Sequence, residues 1–80
     1  MDYYRTKIFS LNRMDELIKN AGVDKVSRDA ILELEGELVN YGEMVAKEAV
    51  SLAIGDKRQT VEIRDIEEAV LNVNLRLRIT

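Results

Sequence analysis

The sequence predicts an all-α protein: one long central helix, a short helix on each side of it, and a second copy needed to cover the long one. Three observations carry this. From Ser27 to Ile54 there is no proline, and apolar residues recur at helical spacing, with Ile31, Leu34, Leu38, Tyr41, Val45 and Leu52 stepping by threes and fours and Glu48 standing in one apolar slot. The resulting rod of about 26 helical residues is roughly 40 Å long, whereas a domain of this size has a radius of gyration of roughly 12 Å. A neighbouring face carries the small residues Val39, Gly42, Ala46, Ala49 and Ala53. Gly36 and Gly42 each cost about 1 kcal/mol relative to alanine inside a helix, a cost that makes sense where another backbone comes close. The rod is therefore expected to cross its own copy about a two-fold axis, with Ile31, Leu34, Leu38, Tyr41, Gly42, Val45, Ala49 and Leu52 at the dimer interface. A monomeric three-helix bundle is the alternative.

Residues 1–11 form an N-terminal arm whose Tyr3, Tyr4, Ile8 and Phe9 argue against full disorder. A strand, an arm packed on the dimer and a loose segment all fit them. Asn12 reads as an N-cap with Asp15 at N3, opening a short helix with Met14, Leu17, Ile18 and Ala21 on one face and Gly22 at its end. Val23 to Val26 form a short link. Ser27 caps the central helix, Asp29 places negative charge in its first turn, and Gly55 stands where a left-handed residue ends it. A polar loop from Asp56 to Val61 follows, and the two links are expected to pair as a short parallel ladder within one chain or across the dimer. The third helix runs from about Ile63 to Asn72, with Ile66, Ala69, Val70 and Val73 inward. Residues 72–80 alternate strictly between polar and apolar, which reads as a half-buried strand; continuation of the third helix is the alternative. The layout is an arm at 1–11, a helical domain at 12–72 and a C-terminal extension at 73–80.

With no cysteine and no histidine, disulfides, zinc fingers and histidine acid/base chemistry are excluded. Carboxylate pairs occur only at helix-surface spacing; Glu33, Glu35, Glu37 and Glu43 are not read as a metal site, because Glu33 to Glu37 at i, i+4 reads as a solvated helix face. No enzymatic activity, metal, cofactor or small-molecule substrate is expected. No apolar run reaches the roughly 20 residues of a membrane span, and the N-terminus is no signal peptide, so a cytoplasmic protein is expected. The net charge of −3 does not suit a general polyanion binder. Its distribution is uneven: residues 13–71 carry eight basic and fourteen acidic residues, while the ends carry Arg5, Lys7, Arg76 and Arg78 against Asp2.

The order of short helix, link, long helix, loop and short helix resembles the histone fold, and the wording of the chain is similar to that of the minimal archaeal histones. The matching segments are Ile18 to Gly22, Val26-Ser27, Glu48 to Val50, Asp65 to Glu67 and, most specifically, Arg58-x-Thr60-x-x-x-x-Asp65. Physically, Arg58 can reach back to Asp65 in the first turn of the third helix and fix the loop by a salt bridge, so that Gln59 and Thr60 face a phosphate. The resemblance implies an intertwined handshake dimer that binds double-stranded DNA on the chromosome without reading its sequence. Lys25 and Ser27 of the first loop would stand beside Lys57, Arg58, Gln59 and Thr60 of the partner's second loop, with Arg13 and Lys19 on the first helix. Three departures bear on assembly: Gln59 and Gly55 stand where the family has lysine and histidine, and Glu16 replaces an arginine. They argue for weak, salt-sensitive DNA binding and against the family's continuous wrapped filament. Some histone variants are proposed to join dimers through other faces into closed tetramers that bridge DNA, and the two tails here are material for such a contact. The acidic body also supports a different reading, a histone-fold protein-interaction module in which DNA contact is incidental.

Overall fold

The computed structural model describes residues 9–79. Residues 1–8 of the arm, with Arg5 and Lys7, and Thr80 lie outside the described residues. Three helices follow in order: α1 at Leu11–Asn20, α2 at Arg28–Gly55 and α3 at Ile63–Ile79. Among the described residues there is no strand, so the chain by itself forms no ladder.

Local chemistry sets the boundaries. The N-cap of α1 is Ser10 rather than Asn12: its backbone is extended and its Oγ accepts from the Arg13 N–H at 3.4 Å. Serine caps as well as asparagine does, and the earlier start brings the half-buried Leu11 into the helix. Past Asn20 the chain turns at Gly22, whose φ of 131° suits glycine alone. Ser27 caps α2, with its Oγ accepting from the Ala30 N–H at 3.1 Å.

At the other end of α2, Gly55 is still helical and the left-handed residue is Lys57, with φ of 60°. The Arg58 N–H donates to the Ala53 carbonyl at 2.9 Å and the Lys57 N–H to the Ile54 carbonyl at 2.8 Å. This pair of bonds closes a Schellman motif.

The largest correction concerns the C-terminal segment, which is helix and not strand. The alternation of Leu75, Leu77 and Ile79 favours a strand only in isolation. Neither proline nor glycine interrupts the chain after Asn72, and Val73 continues the α3 face begun by Ala69 one turn earlier. Burial of that face decides between the two periods.

The chain divides into two compact units, Met1–Asn40 and Tyr41–Thr80, with the boundary inside α2. In the first unit Met14, Val39 and, unexpectedly, Glu35 are buried. The Glu35 Oε2 has no hydrogen-bond partner among the described residues. In the second unit Val45 and Ala49 of α2 are buried with Ala69 and Val73 of α3, and Tyr41, Leu52 and Val70 pack around them. Glu48 explains its own place in the apolar row. Its carboxylate accepts from the Asn72 side chain at 2.9 Å and from Arg76 at 3.1 Å, and both donors hold it below the usual carboxylate range. The Tyr41 hydroxyl donates to Asn74 Oδ1 at 2.8 Å. These bonds fasten the C-terminal part of α3 to α2.

Each unit leaves large apolar side chains in solvent. Among the described residues these are Leu17 and Val23 in the first; in the second they include Val50, Ile54, Val61 and Ile63. Ile66, expected on the inner face of α3, is exposed as well. A Cβ at Gly42 would meet open space, so nothing among the described residues accounts for glycine there.

Candidate nucleic-acid interface

The second loop, between Gly55 and Ile63, is built around Arg58. Its guanidinium makes a two-pronged contact with Asp65, Nη1 to Oδ2 at 2.9 Å and Nη2 to Oδ1 at 2.8 Å. Nη1 also donates to the Thr60 carbonyl at 3.0 Å, and Nη2 to Asp56 at 3.1 Å. Asp65 is only 4% exposed and accepts from the Glu62 N–H at 2.8 Å as well. That last bond is one half of a capping box, a third-position carboxylate returning to the N-cap N–H of α3. One aspartate thus ties together the loop, the arginine and the start of a helix. The fork geometry and the shielding strengthen a contact that an exposed pair would make weakly.

Arg58 holds the Asp65 carboxyl far below the usual range, with help from the Glu62 N–H, and Asp65 in turn pushes the Arg58 pKa up. A carboxyl depressed in the folded state contributes stability above its unfolded pKa of about 3.9 and loses that contribution as pH falls through the folded value. The loop is therefore expected to hold at neutral pH and to weaken only below about pH 4. Asp65→Asn should lower the melting temperature by several degrees at pH 7. It should also take up one proton fewer on acid unfolding, read as a shallower fall of stability between about pH 4 and pH 2. Equal wild-type and variant slopes in that range would remove the pair from the stability of the loop.

The residues expected to meet DNA differ in how much charge they have left. Arg58 is spent on Asp65, Asp56 and Glu62, and Arg64 on Asp56 and Glu62. On α1, Arg13 lies 3.8 Å from Glu16 and Lys19 2.9 Å from Asp15. Lys57 and Lys25 are exposed and make no ion pair among the described residues. Gln59 and Thr60 are exposed beside Lys57. Lys57, Arg58, Gln59 and Thr60 thus share one loop of the second unit, while Lys25 and the capping Ser27 belong to the link of the first. What sets Lys57 apart, a left-handed backbone and a charge without a carboxylate partner among the described residues, is visible only in the fold.

The histone-like transcription factor (CBF/NF-Y) and archaeal histone family model matches residues 9–70. The chain belongs to this histone-fold family. It is also similar to a subunit of the archaeal histone HAN1 of Thermococcus zilligii, with 39% identity over 57 residues, which is 71% of this chain and 85% of that protein. The three helices are those of an all-α histone fold, and the chain is an archaeal-type, chromosome-associated, DNA-binding histone. Among the described residues no helix is long and apolar enough to cross a membrane. The family match stops at residue 70 while α3 runs to Ile79, so the part of α3 fastened by Glu48 and Tyr41 lies beyond the matched stretch.

Proposed function

We propose that this histone works in the cytoplasm as a homodimer that binds duplex DNA without regard to sequence, and that pairs of dimers compact, bend or bridge it. The observation that carries this reading is the charge left unspent in the loops: Lys25 and Lys57 carry no ion pair among the described residues, next to the Ser27 cap and Thr60. A handshake in which each first loop meets the partner's second loop would line up these groups in one strip. Helix N-termini favour phosphate there on their own account. Support for the dimer comes from the half-buried Ile31, Leu34 and Leu38, the open Gly42, and the exposed Val50 and Ile54. Val45 and Ala49 belong to the second unit's own core and offer a partner little surface. Tyr41 and Leu52 line that core's edge.

A gel shift on random-sequence duplex with a salt titration tests this. Binding at micromolar protein in low salt, falling steeply as salt rises, is the expected result, and no shift under those conditions rejects the reading. The neutralised Arg13 and Lys19 favour a second reading, a histone-fold interaction module that needs a different chain as its other half. Mass measurement of the purified protein separates the two, since an obligate half would aggregate or stay unfolded alone.

A further inference from the structure

One side of α3 remains without a role. Glu68, Leu71, Leu75 and Arg78 step by three, four and three residues, which places them in one stripe opposite the buried Val73. Leu71 is 64% and Leu75 55% exposed. Glu68 and Arg78 make no ion pair among the described residues. The order acid, leucine, leucine, base reads the same when two helices run antiparallel about a two-fold axis level with Val73. Leu71 of one copy then faces Leu75 of the other, and Glu68 faces Arg78. A parallel pairing would set like charges against each other at both ends. We infer that the stripe is a contact surface for α3 of a second copy, packed antiparallel in this register.

Self-complementarity selects the occupant, because an unrelated partner has no need for a pattern that inverts onto itself. Two leucines per chain cover far less than the roughly 1,600 Å² of a standard interface, so the contact suits a secondary joint between particles already formed. It deepens the assembly reading above, and rests on it for the dimer as the unit being joined. Each dimer would carry two such stripes, enough to hold two DNA segments together.

Sedimentation of the full chain from low to high micromolar concentration tests this, with circular dichroism to check folding. Wild type is expected to reach four copies or more, and Leu71→Lys with Leu75→Lys to stop at two. Glu68→Arg or Arg78→Glu alone should weaken the higher association by about 10-fold, and the two reversals combined should restore it. A wild type that stops at two copies, with Leu71→Lys, Leu75→Lys leaving those two intact, overturns the α3 contact. So does a combined reversal no better than either single one. Two copies that fall to one in the leucine variant keep the α3 contact and remove the handshake, and single chains throughout overturn both.

Discussion

Val73→Ala is expected to destabilise the protein by about 2 kcal/mol and to lower its melting temperature by roughly 10–15 °C at matched concentration. Val73 is 0% exposed and lies in the second unit's core with Val45, Ala49 and Ala69. Neighbours fixed on two helices collapse poorly around a deleted pair of methyl groups, so a cavity term adds to the transfer term. Cutting the chain after Asn72 should cost more. It removes the same methyl groups together with Arg76 on Glu48 and Asn74 on Tyr41, and it leaves Glu48 with one donor fewer in a half-buried position. Thermal and urea unfolding followed by circular dichroism measure both variants. A truncated protein within about 0.5 kcal/mol of wild type would make residues 73–80 a true appendage.

The strand reading of this segment is where the sequence misleads most. The central helix, its Ser27 cap and the Arg58–Asp65 pairing were legible because each depends on short-range spacing: apolar residues three and four apart, a capping hydroxyl, an arginine seven residues before an aspartate. The end of α3 was not, since residues 72–80 satisfy two periods and only packing chooses between them. What chooses is a fully buried Val73 and a glutamate on another helix. Glu48 itself was a signal: a carboxylate in an apolar slot calls for partners, and Asn72 and Arg76 at i, i+4 on a helix are well placed to supply them. Lys57 illustrates a different limit. Gly55 is the better left-handed residue by chemistry, yet α2 runs on to it, and the Schellman bonds fall on the residue two places later. Glu35, in the first unit, is buried for no reason that its spacing announces.

Combining Lys25→Ala with Lys57→Gly is expected to reduce DNA affinity by about 10³-fold at physiological salt, and to flatten the plot of log affinity against log salt by about 3.6. The estimate follows from four lysines per proposed dimer, each releasing about 0.9 counterion. It applies to these two because they make no ion pair among the described residues. Removing Arg13 and Lys19 should do less, since Glu16 and Asp15 already offset them, even though the number of positive charges lost is the same. Glycine at 57 also separates function from folding. A non-glycine residue in the left-handed region costs roughly 1 kcal/mol, so Lys57→Gly should stabilise the free protein by about 0.5–1 kcal/mol while weakening its hold on DNA. Opposite signs in the two measurements mark a residue kept for its charge at the expense of its backbone. Loss of stability together with binding would instead make Lys57 a structural residue, and an unchanged salt slope would move the phosphate contacts away from the loops.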